Sequence, residues 1–157
     1  MEEEALLFDA DCIKAEKIAL RLIARAEQSS SLLAVKLEKR GIDPSIARQV
    51  TSGLLDRKLL DDERFAECWI RAHLGRKKAP SPLWFLASLE KKGIDRQTSR
   101  NAISKVLDED SEYSLLLRFI ETMDILIKKT SLFRTKLRHE GFSPEAINRF
   151  FDLEYHL

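Results

Sequence analysis

Apolar residues recur every three to four positions along the chain and nowhere in strict alternation, so the pattern predicts helices and no strands. Ile13, Ile18, Leu22 and Ala26 mark a first helix over Cys12–Glu27, with Lys14, Lys17, Arg21 and Arg25 mainly on its other side. Gln28-Ser29-Ser30-Ser31 breaks it, and the serines suit the N-cap of a second helix carrying Leu33 and Leu37. That helix closes at Lys39-Arg40-Gly41: cations oppose the negative end of the dipole, and glycine takes the left-handed residue. Asp43-Pro44 restarts the chain at once, Asp as N-cap and Pro where no N–H is needed, into a third helix reaching about Leu55 with Ile46, Val50 and Leu54 on one stripe.

The same grammar continues. Asp61-Asp62-Glu63 reads as a helix start, where carboxylates meet the positive dipole end, rather than as a metal-binding cluster. The helix it opens runs from Glu63 to about Lys78, with Phe65, Trp69 and His73 at successive turns flanked by Ala66, Ile70 and Leu74, and it ends on Arg76-Lys77-Lys78. Pro80-Ser81-Pro82 stops it and starts the next helix, and a third runs from Arg96 to about Leu107. Asp108-Glu109-Asp110 opens a long helix, Tyr113 to about Ile127, apolar through Leu116, Leu117, Ile120, Met123 and Leu126. Phe133 and Leu137 mark another helix, and Ser143-Pro144 caps a final one containing Ile147, Phe150 and Phe151. Nine helices are expected.

One phrase recurs three times: LAVKLEKRGID from Leu33, LWFLASLEKKGID from Leu83, and FRTKLRHEGFS from Phe133. Gly41 and Gly93 are 52 residues apart, Gly93 and Gly141 are 48 apart. On that spacing Leu33, Phe85 and Phe133 coincide, as do Leu37, Leu89 and Leu137, and then Ile42, Ile94 and Phe142. The fold class expected is therefore all-α, three tandem three-helix, helix-turn-helix-like repeats forming an elongated, curved molecule. The boundaries are an acidic leader over 1–11, a first repeat over 12–60, a second and basic one over 61–108, and a third over 109–157.

Composition sharpens this. With 44% hydrophobic and 34% charged residues, and only 5 Gly and 4 Pro, the chain can bury a core under an ionic surface and favours helix. No run of about 18 apolar residues exists to span a membrane, and the start Met1-Glu2-Glu3-Glu4 is acidic where a secretory signal is basic, so a cytoplasmic protein is expected. Cys12 and Cys68 read as buried or semi-buried thiols. The chain has no Gly-rich phosphate loop, HExxH, CxxC or serine elbow, and His73, His139 and His156 fall on different helices. His73, one turn past Trp69, reads as a packing residue. No catalytic residue, metal site or cofactor is expected, and hence no enzyme.

The formal net charge of +1 hides a basic middle: from Arg64 to Lys105 ten Lys/Arg face three acids, a local charge of +7. Cations before a glycine are ordinary helix-ending grammar, but dipole complementarity calls for one and not three. Lys39, Arg40, Arg71, Arg76, Lys77, Lys78, Lys91 and Lys92 are therefore candidates for displacing counterions from a nucleic-acid backbone, in a sequence-independent and salt-sensitive way. Trp84 stands where Leu32 and Leu132 stand in the other copies, which suits a core residue; exposed beside Lys91 and Lys92 it would stack on a base. Gly-Ile-Asp between two short helices also suits a stand-alone helix-turn-helix protein reading duplex DNA, with Arg96-Gln97 the nearest approach to a recognition helix.

The three units, the L-x-x-K-G-I phrase at Leu89–Ile94 with its counterpart LEKRGI at Leu37–Ile42, and Leu60-Asp61-Asp62-Glu63-Arg64-Phe65-Ala66 ahead of Trp69-Ile70 together resemble the RecX family, regulators of the bacterial recombinase RecA. The resemblance spans from about Ile13 to the C-terminus and is weakest in the last repeat. It implies an all-helical molecule, a monomer, binding along the groove of the RecA–DNA filament. There it would restrain filament growth, strand exchange, ATP turnover and co-protease function, in the setting of DNA repair, recombination and the SOS response. DNA contact would be non-specific, with single strands first and duplex as the alternative. The implied contact surface maps onto Arg71, Arg76, Lys77, Lys78, Lys91 and Lys92, with Lys39 and Arg40 in the first repeat. The chain departs from the family pattern twice: Leu32 replaces the acid of a Ser-x-x-Glu capping box after Ser29, and Ala79-Pro80-Ser81-Pro82 stands where a glycine is usual.

Overall fold

Residues 2–11, EEEALLFDAD, contain neither Gly nor Pro, and in the computed structural model they join the first helix. The structure describes residues 2–128 and 130–153, with side chains from Asp9 onward. Within the described residues there are ten helices and no strand. The chain divides into two compact units, Met1–Phe65 with Lys92–Ile94, and Ala66–Lys91 with Asp95–Leu157.

In the first unit α1 (Glu2–Ile23), α2 (Ser30–Glu38) and α3 (Pro44–Asp56) pack against one another. The expected start at Cys12 moves to Glu2, because nothing in residues 2–11 breaks a helix, and the end moves from Glu27 to Ile23. The face of α1 that enters the core is Ala15 and Ala19, fully buried, while Ile13 is 57% exposed. Small side chains let α1 approach the rest of a core built on Leu33, Leu37, Ile42, Ile46, Val50 and Leu54; Ile18 and Leu22 only flank it. Ser29 is the N-cap of α2, accepting from the Leu32 N–H at 3.2 Å. No capping-box acid follows it. Instead the Asp62 carboxylate accepts both the N–H and the hydroxyl of Ser30, at 2.7 and 2.6 Å. After α2, Gly41 lies at φ +82° and the Ile42 N–H reaches back to the Leu37 carbonyl, a closing turn that satisfies orphan carbonyls.

The second unit takes up most of α4 (Asp62–Leu74) and continues through α5 (Pro82–Glu90), α6 (Arg96–Val106), α7 (Glu109–Glu121), α8 (Ile125–Lys128), α9 (Phe133–His139) and α10 (Pro144–Leu153). Two boundaries differ from expectation. The long helix to Ile127 is split: the Thr122 hydroxyl donates to the Phe119 carbonyl at 2.7 Å as α7 ends, and Asp124 accepts from the Leu126 N–H to start α8. Leu126 is 69% exposed, so the last position of that apolar stripe never joins the core. The other is α4, which stops at Leu74 and leaves Arg76-Lys77-Lys78 outside any helix.

The equivalences along the chain reappear as burial. Leu37, Leu89 and Leu137 are fully buried, Leu33 and Phe85 likewise, and Phe133, Ile42, Ile94 and Phe142 nearly so. Gly93 and Gly141 follow Gly41 into the left-handed region at φ +78° and +87°.

Candidate nucleic-acid interface

Why α4 ends early explains the site. Gly75 lowers helix propensity, and the last carbonyls find another donor. Arg118, on α7, donates one guanidinium N–H to the Leu74 carbonyl and another to the Arg76 carbonyl, each at 2.8 Å. The chain therefore turns out of the helix at residue 75, bends at Lys77 and Lys78, and reaches Ser81, the N-cap of α5, which accepts from the Trp84 N–H at 3.2 Å. Ala79, Pro80, Ser81 and Pro82 are buried, so this segment is packed down while Arg76, Lys77 and Lys78 project into solvent. Lys77 and Lys78 form no ion pair among the described residues. Their charges are not explained by a helix dipole, because the helix has already ended.

Trp84 is half-buried at the start of α5. Its ring stacks on Trp69 at 5.5 Å, Trp69 stacks on His73 at 3.9 Å, and Phe85 meets Trp84 edge-on at 5.4 Å. The Arg76 guanidinium lies over the Trp84 ring, 4.9 Å from its centroid. Trp84 is thus held in an aromatic stack with a cation on it. His73 is fixed as a packing residue, its Nδ1 2.7 Å from the Trp69 carbonyl.

An open cleft of about 390 Å³ lies beside this stack, between the 76–81 segment and the end of α7, with Arg76, Lys78, Ser81, Trp84, Phe119 and Met123 on its walls. Glu140 is its carboxylate. Glu140 accepts from the Ser81 hydroxyl at 2.8 Å and pairs with Lys136 at 2.7 Å. Burial pushes its carboxyl up, but the hydrogen bonds from Lys136 and Ser81 outweigh burial and hold it below the usual carboxylate range.

The remaining candidates are dispersed. Arg71 is exposed and sits 3.5 Å from Glu67, a carboxylate that Lys105 approaches more closely at 2.6 Å and, by that bond, holds below its ordinary value. Lys91 is the exposed C-cap residue of α5. In the first unit Lys39 caps the end of α2, and Arg40 turns back to donate to the Lys36 carbonyl at 2.9 Å, which is helix-closing work. Lys92 is half-buried, its carbonyl accepting from the Ser29 hydroxyl at 3.1 Å. Arg76, Lys78 and Trp84 are therefore the candidates that meet around one cavity. Phe119, Met123 and Glu140 line it too, Arg118 ties α7 to the segment beside it, and none of these was singled out by the sequence as a site residue. The only signal for Arg118 was a lone cation inside the apolar run Leu115–Ile120.

Among the described residues no group of three His, Cys, Asp or Glu could hold a metal ion, and no helix is long and apolar enough to cross a membrane. His156 lies outside the described residues. Cys12 is half-buried, and burial with Asp9 and Asp11 nearby pushes its thiol up. Cys68 is exposed, contrary to expectation, because α4 turns Phe65, Ala66 and Ile70 inward instead.

No family model matches the chain. It is 32% identical over 145 residues to a regulatory protein RecX of Treponema pallidum, covering 92% of this chain and 79% of that protein. A regulatory protein RecX of Halorhodospira halophila is 37% identical over 98 residues, 62% of this chain and 56% of the relative. The crystal structure of RecX from Lactobacillus salivarius matches with a TM-score of 0.68 over 95% of this chain and 99% of that one, at 21% identity. A second crystal structure of a regulatory protein RecX gives 0.70 over 98% and 76%, at 15% identity. At those identities the structures establish a shared fold.

Proposed function

The chain belongs to the RecX family of regulatory proteins, and on that premise we propose that it is a non-enzymatic regulator of RecA–DNA filaments. It binds the filament and restrains recombination, ATP turnover and co-protease activity. The observation that carries the basic-face part of this reading is the Arg76-Lys77-Lys78 segment, which stands off any helix with its two lysines unpaired among the described residues. Cations in that state lose little on meeting a phosphate backbone and release condensed counterions when they do, so the binding is salt-sensitive and indifferent to sequence. Lys91 adds to the charge, and Lys39, Arg40, Arg71 and Lys92 act first as helix-closing, paired or partly buried residues.

Co-sedimentation with RecA on single-stranded DNA, together with the DNA-dependent ATPase, tests this. Association that weakens with salt and a lowered ATPase are the expected results; no association and an unchanged ATPase would sink the reading. A stand-alone helix-turn-helix protein is less well supported, because Arg96 is taken up by Glu90 at 3.2 Å and Gln97 by Asn101 at 2.8 Å. Both side chains of that would-be recognition helix would first have to give up these exposed contacts to read a base edge.

A further inference from the structure

We propose that the cleft between the 76–81 segment and the end of α7 is a nucleotide subsite. It takes one unstacked nucleotide of a single DNA strand, the phosphate on Arg76 and Lys78 and the base against Phe119 and Met123. The inference rests on the DNA-binding reading above and specifies where and how one nucleotide is held.

Four observations converge. The volume, about 390 Å³, lies within the range of about 300–1,000 Å³ typical of small-molecule sites. The lining combines two chemistries: Arg76 and Lys78 on the 76–81 segment are cationic, and Phe119, whose ring also packs at 5.3 Å on Phe142, and Met123 on and just after α7 are aromatic and polarisable. A nucleotide has that same division between phosphate and base, whereas an acidic peptide would use the cations and leave the apolar wall unfilled. Glu140, the carboxylate present, is already satisfied by Ser81 and Lys136, so it does not neutralise the rim. Finally, the walls are tied together, since Arg118 reaches from α7 to the carbonyls of Leu74 and Arg76. The start of the 76–81 segment is thereby fixed to α7.

This alters the part played by Trp84. Its ring is engaged by Trp69 and by the Arg76 guanidinium, so it serves as a positioning residue that aims Arg76 by a cation–π contact, and the base stacks elsewhere. Duplex DNA is disfavoured in the cleft because its bases are stacked and paired and must first be opened.

The chain has 2 Trp, and both stand in this stack, so intrinsic fluorescence reads the cleft. The 157-residue chain is titrated with a short oligothymidine, with a duplex of equal length, with inorganic phosphate and with an oligoglutamate peptide, while anisotropy of labelled oligothymidine reports total DNA binding. Oligothymidine alone is expected to give a saturable tryptophan change. Met123→Ala should weaken that change by about threefold to tenfold, as loss of a thioether–ring contact does, with the salt dependence of anisotropy intact. Lys78→Gln, at an exposed site that leaves folding alone, should lower the salt slope by about one. An equal tryptophan response to duplex or to oligoglutamate would overturn the proposal, and so would a response unaffected by both substitutions. Salt-sensitive anisotropy with silent tryptophans would refute the subsite and leave the DNA-binding reading standing; absence of both signals would refute that reading as well.

Discussion

Gly93 answers to two constraints at once. Its φ of +78° is strained for any residue with a Cβ, and a Cβ built there would stand 2.3 Å from that of Ser31. Gly41 has the same backbone at φ +82° but open space around it. Alanine at Gly41 should therefore cost about 1 kcal/mol for the left-handed backbone alone. Alanine at Gly93 should cost about 1–3 kcal/mol more, because Ser31 must move. Urea denaturation of the two variants separates these terms; equal losses would show that Ser31 yields freely. Leu89, fully buried in the same phrase, offers the complementary test. Leu89→Ala is expected to lose about 2–5 kcal/mol in the same assay, the transfer term plus the cavity.

Elements in this protein are ended and joined by side chains from distant helices. Arg118 is the clearest case, because its two charge-assisted bonds replace the donors that α4 gave up when it stopped at Leu74. Arg118→Ala should release the segment after Leu74, and bonds of this kind, worth about 1.5–3 kcal/mol, correspond to at least tenfold faster tryptic cleavage at Arg76, Lys77 or Lys78. Cleavage at the parental rate would show that Ala79–Pro82 holds the segment without help. Glu140 gives the second test. Its carboxyl titrates lower in the folded chain than its ordinary value of about 4.3. The stability it contributes is complete above that value and disappears as pH falls through the lower folded value. Melting temperature should accordingly decline more steeply below about pH 4.3 in the parent than in Glu140→Gln. Parallel profiles would mean that the Ser81 and Lys136 bonds carry no net stability.

On the scale of the whole molecule, charge placement outweighs net charge. On the proposed function, replacing Arg76, Lys77, Lys78, Lys91 and Lys92 together by Glu should weaken salt-sensitive binding to DNA or to the RecA filament. Circular dichroism should register no loss of helix, since Arg76, Lys77 and Lys78 lie outside helices and Lys91 only caps one. Unaltered binding across a salt series would remove this face from consideration. That cations gather in this part of the chain was legible from the run between Arg64 and Lys105. Which cations remain available was not, because Arg71 and Arg40 turned out to be occupied by Glu67 and by the Lys36 carbonyl.

The sequence by itself determined the helical class, the helix starts at Ser29, Asp43, Ser81 and Asp108, the left-handed glycines and the equivalent core positions. These are signals that act within a turn or two of helix, so the residues that send and receive them are neighbours in the chain. Only the tertiary structure decided where α4 stops, which face of α1 is buried, how Trp84 is occupied, and that a cleft forms at all. Arg118 meets Leu74 across 44 residues and Ser81 meets Glu140 across 59. No local pattern encodes such a meeting. It follows from the packing of whole helices, which brings a stray cation in an apolar run to the carbonyls that need it.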